Sequence, residues 1–503
     1  MHELGVGWHA LTTTWAIPAS VIGVVWGIFG GALPGISPSI AMALLLPFTY
    51  NLDPITAVVL LGSVYIGAEY GGSIPAILIN TPGTNSAAAT TIDGYAMHQR
   101  GEGGLALGIS LTAGFVGGLF GLVMLVLLTE PLAQVALAFT PPAYFALGLF
   151  GLSIIASLSG KSLTKGLISG LLGLMVATVG SDPLSGVARF TFGVPDLLNG
   201  VRPILVMVGL FAVSELMAQV IEPEWVKVNS GTTRLQLPGL ALWRRLWKCE
   251  AVGCGIGTLE GITPGAGGTI AAFLSYNEAK RWSKHPEEFG HGSPEGVAAP
   301  ECANNVVTGT ALVPLLSLGI PGSNSAAVLL GGFLIHGLIP GPMLFERTPE
   351  VAYGLYAGLF VANIVMLLVG LVILTPCIWL VNRPRPYLLA FILALVVSGV
   401  YSIEQSFFQV GIVFATGLLG YGMRRLDVPI LPMVLGVVLG FMVESNYRRS
   451  LLLSGGDHSI FATDPVCAGL LVLAFTLLVF TLWRERRTST PSSTPTPVQE
   501  PAP

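Results

Sequence analysis

Residues 75–88 read PAILINTPGTNSAA, and residues 314–327 read PLLSLGIPGSNSAA. In each stretch an apolar run is stopped by Pro-Gly, followed by a hydroxyl residue, Asn, Ser and then Ala-Ala. Proline cannot continue an incoming helix, whereas Ser, Thr and Asn cap a new one. The glycine is expected to supply an unusual backbone angle. Both stretches therefore predict a break between two helical segments, at Pro82-Gly83-Thr84-Asn85-Ser86 and at Pro321-Gly322-Ser323-Asn324-Ser325. Upstream the likeness continues. GALPGISPSIA at 31–41 parallels GITPGAGGTIA at 261–271, with Gly31, Pro34, Gly35, Ile40 and Ala41 matched by Gly261, Pro264, Gly265, Ile270 and Ala271. Two matched blocks in the same order form an internal repeat.

The surroundings of these breaks are strongly apolar. Of 503 residues, 52% are hydrophobic and 10% charged, and the mean hydropathy is +0.76. A soluble domain carries roughly 25% charged residues. Glycine (64) and proline (35) make up nearly a fifth of the chain, against an average of roughly 12%, more than a bundle of unbroken helices needs. The net charge of -4 without a basic block argues against nucleic acid as a partner. Cys249, Cys254, Cys302, Cys377 and Cys467 form no CxxC pair, so neither a disulfide framework nor a zinc site is indicated.

Apolar runs long enough to cross about 30 Å of hydrocarbon lie at 14–33, 105–128, 132–158, 163–179, 201–220, 351–380, 387–400, 407–421, 428–443 and 466–483. With the broken regions, the expected fold is an all-α polytopic membrane protein of about 12 membrane segments. Lys and Arg favour the cytoplasmic side. One alternating thread then puts the N-terminus in the periplasm and 95–103, 222–248 and the C-terminus in the cytoplasm, with Arg424 and Arg425 in a cytoplasmic turn. Arg448 and Arg449 fall outside and suggest a short interfacial helix through 451–453. The expected organisation is a first half at 1–221, broken at about 31–95, and a basic cytoplasmic linker at 222–249. A second half at 250–483, broken at about 261–342, and a disordered tail at 484–503 complete it. In this thread the halves are inverted. Paired broken segments in inverted halves point to a secondary transporter with its site at the repeat interface. Plain helix capping explains either copy alone, but backbone freed at membrane depth must be satisfied, and two such breaks are costly without a use.

A helix start offers free N–H groups and partial positive charge to an anion. Gly83, Thr84, Asn85, Ser86, Gly322, Ser323, Asn324 and Ser325 are thus candidate substrate and ion contacts, a carboxylate cradle whose oxygens can also hold Na⁺. Ionisable residues at membrane depth are functional candidates by default, so Glu69, Asp93 and Glu301 are candidate coupling carboxylates for H⁺ or Na⁺. Asp93-Gly94 reads equally as a turn signal. Pro34, Gly35, Pro264, Gly265, Asn304 and Asn305 are expected to line the cavity, or to satisfy broken backbone. Glu215 reads as an interfacial cap or ion-pair partner, and His336 as a packing residue. With few intramembrane Lys or Arg, anion recognition is expected to rest on helix starts, amides and hydroxyls.

At these motifs the chain resembles the large membrane subunit of the tripartite tricarboxylate transporters, the TctA family. The resembling text is LPGISPSIAMALLLPFTY, YIGAEYGGSIPAILINTPGTNSAAATTIDGY, ITPGAGGTIAAFLSY, FGHGSPEGVAAPECANN and PLLSLGIPGSNSAAVLLGGFLIHGLIPGP, within roughly 20–460. The resemblance implies an elevator-like permease of the bacterial inner membrane. It would work with a small membrane subunit and a periplasmic substrate-binding protein, driven by an ion gradient, to import carboxylates such as citrate. The TNS and SNS triplets are also similar to hairpin tips of another carboxylate transporter group, an analogy for their role. Cys302 and the C-terminal tail depart from the family pattern. The competing readings are a channel, or a small-solute transporter working without a binding protein. An enzyme is not expected: Asp457 has no second aspartate in a span and no serine–histidine pair suggests a protease. No GxxxxGK[ST] loop indicates an ATP-driven pump, and no cofactor beyond a coupling Na⁺ or H⁺ is implied.

Overall fold

A computed structural model describes residues 2–33, 35–158, 162–182, 185–221, 234–265, 267–381 and 385–488. Pro34, the linker stretch 222–233 and the tail from 489 lie outside the described residues. Apart from a two-stranded ribbon pairing Gly180–Ser181 with Ala188–Arg189, the described elements are helical.

The helix Pro54–Ile79 runs through the middle of the molecule. Asp53 caps its start by accepting from the Thr56 N–H (2.9 Å), and Pro54 occupies the first turn, where no donor is missed. Every residue from Ile55 to Leu78 is buried. Such burial requires neighbours at backbone distance, and the crossing with Ala16–Ala32 supplies them. A Cβ on Gly27 would sit 2.4 Å from the Val64 carbonyl oxygen, and one on Gly31 2.1 Å from that of Ala68. Gly71 answers from the other side, 2.3 Å from the Ile28 carbonyl oxygen. Small residues at four-residue spacing bring the axes together, as is common between helices in membranes. Gly117, Gly121 and Gly166 likewise face backbone of this same chain, at Cys302, Val306 and Ala156.

Among the described residues, six helices are long and apolar enough to cross a membrane: Pro54–Ile79, Gly103–Leu137, Pro203–Ile221, Pro349–Gly370, Ile430–Leu453 and Pro465–Trp483. The pair Gly5–Thr13 and Ala16–Ala32, bent by 82°, makes up to seven. Other apolar helices are shorter, including Pro141–Ser157, Leu163–Ala177 and Asn324–Ile335. The segment expected at 105–128 extends as one helix through Pro131 to Leu137. The next helix begins at Pro141, with Thr140 accepting from the Ala143 N–H (3.4 Å). One proline here sits inside a helix, and the other opens the next. The 351–380 run is also divided, into Pro349–Gly370 and Leu374–Val381.

Two other expectations change. Residues 451–453 are not a separate interfacial helix but the end of Ile430–Leu453. Arg448 is held there by Asp182 (2.7 Å) and Glu444 (2.9 Å), and Glu444 also binds Arg189 (2.5 Å), which ties the β-ribbon to the helix. The basic residues Arg244, Arg245 and Lys248 lie on a continuous helix, Leu240–Ile262.

Gly71→Leu is expected to abolish the folded protein, because its side chain would have to occupy the Ile28 backbone; overpacking costs at least about 1–3 kcal/mol. Gly422→Ala, with nothing within 4 Å of the added carbon, should elute and melt like the parent in detergent size-exclusion and thermal assays.

Candidate substrate and ion site

The two predicted breaks have the same local hydrogen bonding. In the first, Asn80 turns left-handed (φ 56°) and Thr81 N–H donates to the Pro75 carbonyl (3.4 Å). In the second, Gly319 turns left-handed (φ 75°) and Ile320 N–H donates to the Pro314 carbonyl (3.2 Å). Gly83 N–H then donates to the Gly72 carbonyl (3.0 Å), and Gly322 N–H to that of Ala311 (3.2 Å). Thr84 Oγ1 accepts from Ala87 N–H (3.3 Å), and Ser323 Oγ from Ala326 N–H (3.1 Å), each at the start of a helix, Ala88–Gln99 or Asn324–Ile335.

The glycines of the two Pro-Gly pairs are needed for close approach, not for an unusual angle. Neither has a positive φ; the left-handed positions are Asn80 and Gly319, and at the upstream motifs Gly35 (φ 90°) and Gly265 (φ 87°). A Cβ on Gly83 would lie 1.9 Å from the Gly31 carbonyl oxygen, and one on Gly322 2.7 Å from that of Gly261. Gly31 and Gly261 are themselves matched positions of the repeat.

Both tips line one cavity of about 820 Å³. Asn85 and Asn324 are exposed there, whereas Thr84, Ser86, Ser323 and Ser325 beside them are buried. Gly35 and Gly265 also line it. Behind the tips, the central helix presents Tyr65 and Glu69, one turn apart. Tyr65 Oη shares a hydrogen bond with Ser323 Oγ (3.1 Å), and Glu69 Oε2 accepts from Ser86 Oγ (2.7 Å) and Asn304 Nδ2 (3.0 Å). One helix therefore holds one hydroxyl from each tip. Asn304 Oδ1 is buried without a partner, next to cavity-lining Gly268.

The other two candidate coupling acids, Glu301 and Asp93, are not among the cavity-lining residues. Glu301 is buried, accepting from Thr90 Oγ1 and from Ser110 Oγ (3.0 Å). Asn305 donates to the Glu301 backbone carbonyl (2.9 Å). Asp93 is buried and anchors a loop. Its Oδ1 accepts from the backbone N–H groups of Gly290 (2.9 Å), Gly292 (2.7 Å) and Ser293 (2.8 Å), and its Oδ2 from Tyr276 Oη (2.9 Å). Pro264 is not among the cavity-lining residues.

Two residues of the site escape a reading of the sequence, Tyr65 and Arg424. Tyr65 is detectable only as the residue one turn before Glu69 on the same face. Arg424, expected in a cytoplasmic turn, lines the cavity, ion-paired to Glu215, which also accepts from Gln219 Nε2 (3.0 Å). A cationic side chain thus lines a cavity in which none was expected, paired there with a carboxylate. Only the folding of Phe407–Arg425 against Pro203–Ile221 brings that cation into the wall of the cavity.

A family model described as the tripartite tricarboxylate transporter TctA family matches residues 17–435. The chain is 37% identical over 486 residues to an "Uncharacterized 52.8 kDa protein in TAR-I ttuC' 3'region" of Agrobacterium vitis, covering 95% of this chain and 96% of that one. A second Agrobacterium vitis protein, "Uncharacterized protein in TAR-II ttuC' 3'region", is 36% identical over 226 residues, covering 45% of this chain and 93% of its own. No solved structure matches.

Asp93→Ala is expected to leave three backbone donors of the 290–293 loop unsatisfied, at about 1–3 kcal/mol each. The measurement is a lowered melting temperature with faster hydrogen exchange confined first to that loop; unchanged exchange there would remove the anchoring role.

Proposed function

The chain belongs to the tripartite tricarboxylate transporter TctA family, and on that premise we propose that it is the permease subunit for ion-driven import of organic di- or tricarboxylates. The observation that carries the proposal is the meeting of two like-built helix starts, with Asn85 and Asn324 exposed, in one cavity of about 820 Å³. One carboxylate of the substrate sits between the tips, receiving hydrogen bonds from the two amides and from free N–H groups. A second carboxylate turns to Arg424 in the wall of the same cavity.

Coupling runs through Glu69. Its charge stands behind the first tip and opposes an incoming anion, so uptake of H⁺ or Na⁺ at Glu69 favours substrate binding, and by linkage substrate favours the cation. Ser86, Asn304 Oδ1 and the carboxylate provide hard oxygens for Na⁺, while protonation of the carboxylate alone serves H⁺. Glu301 modulates this from behind the wall. The two tips, in halves we take to be inverted, move together as the transporting unit of an elevator-like cycle across the inner membrane. The N-terminus is periplasmic and the C-terminus cytoplasmic. Substrate arrives from a periplasmic binding protein, and a small membrane subunit completes the assembly. The matching hydrogen bonds around Gly83 and Gly322 support the repeat on which this cycle rests.

Asn85→Ala and Asn324→Ala each remove a hydrogen bond to a charged group, worth about 1.5–3 kcal/mol. Carboxylate uptake into proteoliposomes containing the partner proteins should fall by about ten-fold or more, with normal insertion. Full transport by both variants refutes the site.

Glu69→Gln is expected to remove most of the dependence of uptake on pH or Na⁺, and Glu301→Gln to shift it. Initial rates measured across pH at fixed Na⁺, and across Na⁺ at fixed pH, check this; an unchanged ion dependence rejects the coupling role of that residue.

A further inference from the structure

Away from the tips, a second cavity of about 570 Å³ opens beside the helix Leu240–Ile262, with Arg244, Lys248, Trp282, Lys284 and His285 in its wall. Its charge is not balanced locally. The acids Glu288 and Glu295 are both engaged by Arg245, at 2.5 and 3.4 Å, and Glu295 also accepts from Ser283 Oγ. Glu287 faces His285 (3.6 Å), and Glu278 faces Arg281 (3.5 Å). Among the described residues, Arg244, Lys248 and Lys284 have no ion-pair partner. Lys248 Nζ lies over the Trp247 ring at 5.7 Å.

An apolar stripe descends from these cations along the same helix. Trp247 is 57% exposed and Leu259 70%, with Ala251 and Gly255 also exposed between them at four-residue spacing. A Cβ on Gly255 would meet nothing within 4 Å. From Trp247 to Leu259 the helix rises about 18 Å, close to the half-thickness of a hydrocarbon core about 30 Å across. Trp282, 73% exposed, lines the cavity beside the cations, and tryptophan favours the membrane interface. A free phosphate needs only the cations; a phospholipid uses both the cations and an apolar face of acyl-chain length.

We propose that this face is a binding site for an anionic phospholipid. The phosphate lies among Arg244, Lys248 and Lys284, and an acyl chain lies along Trp247, Ala251, Gly255 and Leu259. Basic pockets at the membrane surface bind anionic headgroups in this way, and the long side chains reach up from the apolar face to do so. The site is independent of the substrate cavity and stands whatever that cavity carries.

The test uses the full chain, delipidated in detergent and titrated with phosphatidylglycerol or phosphatidylcholine, with bound lipid counted by native mass spectrometry. Phosphatidylglycerol should bind at least about ten-fold more tightly than phosphatidylcholine, a difference of about 1.4 kcal/mol. The triple variant Arg244→Gln, Lys248→Gln, Lys284→Gln should erase the preference while phosphatidylcholine binding stays. The charge-keeping Arg244→Lys should retain most of it. If the triple variant does not fold, Arg244→Gln and Lys284→Gln singly should each weaken phosphatidylglycerol binding several-fold. Equal binding of the two lipids, or a preference that survives these changes, overturns the proposal. So does displacement of the lipid by millimolar inorganic phosphate, which would mark a site for soluble phosphate instead.

Discussion

The close crossing of Ala16–Ala32 and Pro54–Ile79 is the contact on which the rest of the molecule depends. Gly27, Gly31 and Gly71 let the two backbones meet with no side chain between them. That contact, with the helices packed on its other faces, buries the central helix, and burial is what gives Tyr65 and Glu69 fixed positions. Gly31 also presents its carbonyl to the first tip, because Gly83 rests against it. A larger residue at any of these positions would move the helix and the tip together. Close packing of small residues is therefore both the fold's cohesion and the means by which its polar site is placed.

The polar groups that this packing buries fall into two kinds. Asp93 has both oxygens engaged by backbone donors and a tyrosine, so it is fixed in place and rigidifies the loop at 290–293. Glu69 is held through one oxygen by groups from both halves of the chain, Ser86 and Asn304, while the amide oxygen of Asn304 has no partner. A buried polar atom without a partner loses its hydration with no return. Next to a cavity-lining glycine, such an atom is placed to meet a cation or a water. Asp93 thus spends both oxygens on holding the loop, whereas Glu69 lines the cavity beside an acceptor left without a partner.

Much of the organisation was legible in the chain. Pro-Gly followed by hydroxyl, Asn and Ser marks a helix stop and a new start from local chemistry alone, and both breaks occur where the motifs stand. Apolar length marked the helices, though it could not place the boundary between Leu137 and Pro141, since Pro131 and Pro141 carry the same signal and only one begins a helix. Composition gave no sign of the β-ribbon, which is secured by Arg189, Glu444, Arg448 and Asp182, far apart in sequence.

By itself the sequence determined where the backbone must break and which oxygens and N–H groups are released there, because proline, left-handed turns and capping act over a few residues. The tertiary structure alone decided that the two tips meet in one cavity, that Tyr65 and Glu69 each hold one of them, and that Arg424 joins them. It also decided that Gly83 and Gly322 serve proximity instead of an unusual φ. These are relations between segments hundreds of positions apart. They depend on how closely helices approach, a distance set by the absence of side chains on both partners and readable only when the partners are known.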